Sequence, residues 1–193
     1  DPGPSETVVF SSILPPQALV HLRHLLVAFS AAPDQIGLTV GLVHEAKALD
    51  AAAQAMLTAQ QLGDVAAMKR SAEGMVNLIE GSRGPDFGDL DGDGAVTNPG
   101  DGFGLLLNGA NSGYIQGTIQ HAKLGARTPD ATAHIQLHAG HVVVAAQNVA
   151  EWAVDLRDLA LQIAAARDTN SAGESVRQAV ELADRLLNGQ DLN

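Results

Sequence analysis

Acidic residues alternate with small residues in one stretch near the middle of the chain, and this stretch is the part of the sequence best suited to hold a metal ion. Asp89, Asp91 and Asp93 stand two residues apart, and Gly94 follows them directly. Alternate side chains of this kind can converge on one hard cation while the glycine makes the sharp turn that the backbone needs. The spacing therefore favours a calcium loop over a solvated turn that binds nothing.

The segment from residue 89 to residue 101 resembles the calcium loops of EF-hand and dockerin proteins. The resemblance implies Ca²⁺ ligation by four side chains, those of Asp89, Asp91, Asp93 and Asp101. In such a loop Ala95 would offer its carbonyl oxygen, and Thr97 its hydroxyl or a bridging water. The match is incomplete, because Gly100 stands where an EF-hand carries a bidentate glutamate and Asp101 comes one residue late. The resemblance does not imply a helix pair that opens as a calcium sensor does.

Histidines form the second group of residues that could bind a metal. His134, His138 and His141 follow one another at helical spacing, so their imidazoles lie on one face of a predicted helix. Neutral imidazoles at this spacing chelate transition metals, and a further histidine from a facing helix completes three ligands. The site that we draw uses His121, His138 and His141, with His44 as a fourth ligand and Zn²⁺ or Cu²⁺ as the metal.

Other interpretations of the histidines remain open. A haem held by two histidines would need an apolar slot across the bundle, and an aromatic content of 3% argues against one. His21 and His24 form another pair three residues apart, but no partner motif supports them. Each histidine taken singly is also consistent with a side chain that faces solvent or bonds to a backbone carbonyl.

Composition limits the partners and the chemistry of the chain. The 193 residues include 22 acidic and 11 basic ones, a formal net charge of -11 that disfavours nucleic acid and anionic membranes as partners. The absence of cysteine excludes disulfides, thiolate ligands and c-type haem attachment. No uninterrupted apolar stretch reaches the roughly 18 residues that suggest a membrane-spanning helix. Metal ions and cationic partners fit this composition better.

No residue pattern typical of an enzyme is present in the sequence. We find no nucleophile elbow, no phosphate-binding glycine loop and no pair of carboxylates in a catalytic frame. Glycines at positions 109, 113 and 117 are better explained by close helix packing. A metal-dependent hydrolase at the three-histidine site would also need a cleft and a base, which no motif supplies.

Apolar residues at helical spacing predict an all-α fold, a bundle of five to six helices. Residues 1–14 are expected to form an extended arm, and residues 15–193 a single helical-bundle domain. Two similar helical hairpins, at about 35–80 and 105–166, are joined by the calcium loop at 86–104 and followed by a C-terminal helix at 172–187. Asp34 and Ser171 are expected to cap the second and the last helix. The other helices are expected at 17–32, 35–62, 65–80, 103–126 and 131–166.

The segments on either side of the predicted calcium loop are similar to one another in sequence. Residues 41–47 resemble residues 117–123, with a histidine in each, and residues 71–76 resemble 138–143. A duplicated helical hairpin that closes into a four-helix bundle would explain these matches, although short matches between alanine-rich helices also arise by chance. In outline such a bundle resembles the ferritin-like and cytochrome b562-like folds. The glutamates of a di-iron site have no counterpart here, so a di-iron oxidase is not expected.

These patterns together predict a secreted, periplasmic or cell-surface calcium-binding protein with a structural, assembly or binding role. The Pro/Ser-rich opening without an initiator methionine suggests a mature end left by signal-peptide removal. Calcium outside cells is abundant enough to fill a loop of modest affinity. The N-terminal arm is expected to contact other copies in a homo-oligomer or surface assembly. The alternative function is a His-ligated transition-metal or haem protein for redox chemistry, electron transfer or metal storage.

Overall fold

The computed structural model describes residues 14–190, and this part of the chain forms an all-α bundle. Its six α-helices are α1 (Pro16–Leu26), α2 (Leu38–Leu62), α3 (Val65–Glu80), α4 (Gly113–Arg127), α5 (Ala133–Ala164) and α6 (Thr169–Asn188). The prediction of five to six helices is confirmed. The arm expected at residues 1–14 falls outside the described residues, apart from Leu14. None of the helices in the described range is long and apolar enough to cross a membrane.

The first helix is shorter than the sequence predicts, because the chain reverses direction after Leu26. Phe29 donates its backbone N–H to the carbonyl of Gln35 at 3.0 Å, which closes a tight reversal. The hydroxyl of Thr39, in the first turn of α2, donates to the Leu25 carbonyl at 2.6 Å and so satisfies an acceptor at the end of α1. The predicted extension of this helix to residue 32 is therefore wrong, and the reversal places α1 beside the start of α2.

Two predicted helix caps are also replaced by neighbouring residues. Asp34 lies in a 3-10 turn (Pro33–Gln35) with a φ of 52°, and the N-cap of α2 is Gly37. The last helix begins three residues earlier than predicted, since Asp168 accepts the backbone N–H of Ser171 at 2.8 Å. Aspartate is a strong N-cap because its carboxylate satisfies a free N–H group of the first turn. Ser171 is thus a capped residue and not the cap.

The connection between α3 and α4 folds back along the end of α3, which delays the start of α4. Leu105 and Leu106 both donate backbone N–H groups to the Ile79 carbonyl, at 2.9 and 3.1 Å. Gly104 lies between them and α3 with a φ of 83°, and a β-carbon there would come within 2.8 Å of the α3 backbone. The helix predicted from residue 103 therefore begins only at Gly113. The predicted loop of residues 86–104 accordingly lies within a longer non-helical connection.

The third helix is the centre of the bundle. Every residue from 72 to 80 is buried, and α3 packs against α2 on one side and α5 on another. α6 packs on α2 and α5, while α1 lies mainly on α4. A helix buried this completely must find partners for its polar side chains. Glu80 forms an ion pair with Arg157 of α5 at 3.1 Å, and two other polar residues of α3 face the predicted calcium loop.

Two glycines allow α2 and α4 to cross at close range. A β-carbon at Gly41 of α2 would overlap the ring of Tyr114, and one at Gly117 of α4 would come within 2.8 Å of the Leu38 side chain. In each helix the large side chain stands three residues before the glycine, Leu38 before Gly41 and Tyr114 before Gly117. Each helix therefore places a large buried side chain on the glycine of the other, and the contact is reciprocal.

Candidate metal centre

Glu73 of α3 is the residue around which the Asp-rich loop folds. Its side chain is fully buried, and one carboxylate oxygen accepts the backbone N–H groups of Leu90 at 2.8 Å and Asp91 at 3.0 Å. The other oxygen accepts the N–H of Thr97 at 2.5 Å. Hydrogen bonds to a charged acceptor are shorter and stronger than neutral ones. One buried carboxylate thus holds both the middle and the end of the loop against α3.

Asn77, one turn further along α3, closes the loop at its two ends. Its amide nitrogen donates to the carbonyls of Gly88 at 2.9 Å and Thr97 at 2.8 Å. Its amide oxygen accepts the N–H of Gly88 at 2.8 Å. Glu73 and Asn77 stand four residues apart and therefore lie on the same face of the helix. This face of α3 is built to hold the segment from residue 88 to residue 97.

Within the loop, the aspartate side chains fold inwards onto the backbone that follows them. Asp89 accepts the N–H groups of Gly92 at 2.7 Å and Gly94 at 2.9 Å, and Asp91 accepts that of Asp93 at 2.9 Å. Both glycines have positive φ, 78° and 88°. These side-chain turns, with glycine supplying the left-handed positions, wind the loop tightly around its own carboxylates.

Carboxylate oxygens of Glu73, Asp89 and Asp91 lie within 4.8 Å of one another. Calcium binds oxygen at about 2.3–2.6 Å, so two ligands on opposite sides of one ion stand about 4.6–5.2 Å apart. The three residues therefore fit a single calcium ion. Asp89 and Asp91 belong to the predicted ligand set, whereas Glu73 does not. The sequence signal that could identify Glu73 is its spacing of four from Asn77, which puts two polar side chains on one face of the helix before the loop.

Asp93 lies outside this group of three carboxylates. Its side chain accepts the N–H of Ala95 at 2.8 Å and pairs with Arg70 of α3 at 3.0 Å. The Ala95 N–H and the Arg70 guanidinium together hold the pKa of Asp93 below its usual range. Ala95 itself is exposed, and Thr97 contributes its backbone to Glu73 and Asn77. The prediction that these three residues bind calcium stays a prediction.

The structure places Asp101 in a separate cluster with Glu45 and Tyr114. Its carboxylate accepts the Tyr114 hydroxyl at 2.5 Å and the N–H of Phe103 at 2.8 Å. An asparagine turn, in which Asn98 accepts the N–H of residue 100 at 3.0 Å, redirects the chain before Asp101. Asp101 therefore does not join the group around Glu73, in contrast to what the EF-hand resemblance implies.

Glu45 of α2 is buried in this second cluster, and one of its carboxylate oxygens has no hydrogen-bond partner among the described residues. The other oxygen accepts the Asp101 N–H at 3.2 Å. Burial, together with the negative charge of Asp101, raises the pKa of Glu45 to about 7. Burial and the hydrogen bond to Asp101 also raise the pKa of Tyr114 well above its usual range. The cluster consequently favours the neutral form of Glu45 below about pH 7.

Replacing Glu45 with glutamine is expected to change how stability depends on pH. Because the pKa of Glu45 is higher in the folded state than its ordinary value of 4.5, folding is penalised as pH rises from about 4.5 to about 7. Glu45→Gln removes this penalty, which has an upper limit of about 3 kcal/mol. Urea unfolding of both proteins at pH 4.5 and pH 7.5, at one fixed calcium concentration, measures the difference. An equal stability difference at both pH values would contradict the expectation.

The histidines are grouped differently from the predicted site. His121 lies on α4 against α1, where its Nδ1 is 3.2 Å from the Nδ1 of both His21 and His24. His138 and His141 are exposed neighbours on α5, with ring centroids 5.6 Å apart. Among residues 14–190, no metal-sized group joins these two to His121. His44 is exposed on α2 and joins no such group in the same range.

The reason for this difference is the packing of α1. Sequence periodicity shows which residues share a helix face, but it does not show which helix covers that face. α1 packs on α4 and brings its own histidine pair to His121, whereas His134 and His138 line a small apolar cavity of about 250 Å³. The pair that lacked a partner motif in the sequence therefore has its partner on α4.

Comparison of the chain with models of known protein families, with characterised proteins and with solved structures finds no match.

Proposed function

We propose that this chain is a calcium-binding helical protein in which the ion fixes the connection between two helical hairpins and so gives a rigid unit for assembly or binding. The observation that carries the proposal is the fully buried carboxylate of Glu73, whose oxygens lie within reach of those of Asp89 and Asp91. A tightly wound Asp-rich loop and a buried acid aimed at it make a set of hard oxygen ligands.

Electrostatics supports a structural role for the ion. Three carboxylates within 4.8 Å of one another repel, and the chain as a whole carries a net charge of -11. A bound Ca²⁺ would remove the local repulsion and stabilise only the folded loop, because the unfolded chain does not hold Glu73 beside Asp89 and Asp91. The free energy of calcium binding would then add to the free energy of unfolding.

The position of the loop supports the same role. It joins the hairpin of α2 and α3 to the hairpin of α4 and α5. The reciprocal contact in which Gly41 meets Tyr114 and Gly117 meets Leu38 supports the further proposal that the two hairpins arose by duplication. On this proposal the ion organises the joint between two related halves.

We place this role outside the cell or at its surface, where calcium is abundant enough to fill a site of modest affinity. Exposed apolar side chains around α1 support contact with other copies of the chain. Leu14 and Leu26 are each 62% exposed, and Val27 is 58% exposed. Leu26 and Val27 are neighbours in the chain, and exposed apolar groups that lie together are typical of surfaces that bind a partner.

Calcium is expected to raise the melting temperature of metal-free protein. At a calcium concentration 100 times the dissociation constant, the stabilisation is about 2.7 kcal/mol, which corresponds to roughly 5–10 °C for a chain of this size. Differential scanning calorimetry with calcium, with magnesium and with chelator measures the effect. Magnesium should give a much smaller shift, because it prefers a compact octahedral site with several waters.

Asp91→Asn is the matched test of the ligand set. Asparagine keeps the oxygen that accepts the Asp93 N–H but removes the charge offered to the ion. We expect this variant to fold and to lose most of the calcium-dependent shift, while Asp155→Asn on the exposed surface of α5 retains it. A calcium shift that is unchanged in Asp91→Asn would overturn the proposal.

A further inference from the structure

Three histidines meet where α1 packs on α4. His21 and His24 stand one turn apart on α1, and His121 reaches them from α4. The Nδ1 atom of His121 is 3.2 Å from the Nδ1 atoms of both partners, and all three side chains are half-buried. The cluster lies apart from the Asp-rich loop and uses none of its residues.

Hydrogen bonding between the rings does not account for this arrangement. Each imidazole nitrogen has one position in the ring plane, which holds either a proton or a lone pair. The Nδ1 of His121 can therefore make one good hydrogen bond, but it has two nitrogen neighbours at the same distance. Three imidazoles whose nitrogens lie within 4.8 Å of one another are instead an arrangement that a cation satisfies.

The two distances from His121 match those of a tetrahedral metal site. Zinc binds histidine nitrogen at about 2.0–2.1 Å, which in a tetrahedron separates neighbouring ligand atoms by about 3.3 Å. The observed separations from His121 are 3.2 Å. We propose that His21, His24 and His121 form a site for a divalent transition metal that imidazole prefers, Zn²⁺ or Cu²⁺.

Within residues 14–190, the cluster supplies three protein ligands. Among the described residues, the group contains no carboxylate and no fourth histidine. Phe29 packs with its ring centroid 5.7 Å from that of His24 and 5.2 Å from that of His121, which limits the movement of both rings. Three protein ligands with an open fourth position leave room for water or a small anion on the metal.

The site would fasten the first helix to the bundle. α1 has 11 residues, of which only Ala18 and Leu25 are buried, so apolar packing holds it weakly. Its N-terminal end is already held by Asp130, which accepts the N–H of Gln17 at 2.7 Å and of Ala18 at 3.1 Å. A metal bridging His24 and His121 would secure the other half of the helix.

The test is titration of metal-stripped, tag-free protein with Zn²⁺ and, separately, with Cu²⁺ by isothermal calorimetry, with calcium held at a constant saturating level. We expect a single site in the native protein and at least tenfold weaker binding in His121→Gln. The matched control is His138→Gln, which removes an exposed imidazole outside the cluster and should bind as the native protein does. Absorption spectra of the Co²⁺ form should show tetrahedral coordination that His121→Gln lacks.

His24→Gln repeats the test from α1, so that a folding defect in one variant does not decide the result. Circular dichroism and the calcium-dependent melting shift verify the fold of each variant, and they also separate this site from the calcium proposal. The inference is overturned if the native protein binds neither metal. It is equally overturned if His121→Gln and His24→Gln bind as tightly as the native protein, or if His138→Gln loses binding.

Discussion

Glu73→Ala is expected to lower the free energy of unfolding by about 3–5 kcal/mol. The glutamate accepts three backbone N–H groups of the loop, and alanine would leave all three without their acceptor. The substitution also leaves a cavity beside α3, because Glu73 and its neighbours in this helix are buried. Urea unfolding without calcium measures this loss of stability. Repeating it with calcium tests the ligand role of Glu73, and we expect calcium to give the variant no added stability.

Two further variants show which property of Glu73 matters. Glu73→Gln keeps one acceptor oxygen and the volume of the side chain, so it should lose less stability than alanine but still lose the calcium response. Glu151→Ala removes an exposed glutamate of α5 and should change stability by less than about 0.5 kcal/mol. A loss below about 1 kcal/mol in Glu73→Ala would mean that the loop does not depend on this carboxylate.

Gly41→Ala is expected to destabilise the bundle by about 2–3 kcal/mol, although alanine is the better helix former. The new methyl group would overlap the Tyr114 ring, which is fully buried and held by its hydrogen bond to Asp101. Because the ring is fully buried, we expect α2 and α4 to separate. Chemical denaturation, with near-UV circular dichroism as a probe of the single tyrosine and single tryptophan, measures the change.

Gly140→Ala in α5 is the matched control for this prediction. A β-carbon at Gly140 meets nothing within 4 Å, so only the helix propensity changes. This variant should be more stable than the native protein by about 0.5–1 kcal/mol. Two glycine-to-alanine substitutions inside helices are thus expected to have opposite signs. Stabilisation of both variants would contradict the close crossing of α2 and α4.

Sequence predicts the parts of this fold that depend on residues close together in the chain better than the parts that depend on residues far apart. The bounds of α3 are correct at both ends, since Asp64 caps its start and Gly81 ends it, and both signals are local. The end of α1 was misplaced because the chain reverses there through a backbone bond from Phe29 to Gln35, and the start of α4 because the chain there is bonded to a residue distant in the sequence. That distant residue is Ile79, whose carbonyl accepts the backbone N–H of Leu105.

The same distinction explains what the sequence revealed of the candidate sites. Asp89 and Asp91 were found because a calcium loop has a fixed local spacing. The contribution of Glu73 was missed because it comes from a helix that precedes the loop, and Asp101 was assigned to the loop because its partner Tyr114 lies beyond it. The histidines show the limit most clearly, since the partner of His121 is decided by which helix packs against α4.

The most direct test of the central claim is the stoichiometry of calcium binding to the native chain. Isothermal titration of metal-free, tag-free protein with calcium chloride should give one ion per chain, with a dissociation constant of about 10⁻⁴–10⁻³ M, in the range of extracellular modules. Asp91→Asn should bind far more weakly under the same conditions. Absence of calcium binding at millimolar concentrations, or equal binding in Asp91→Asn, would contradict the assignment of Glu73, Asp89 and Asp91 as the ligands.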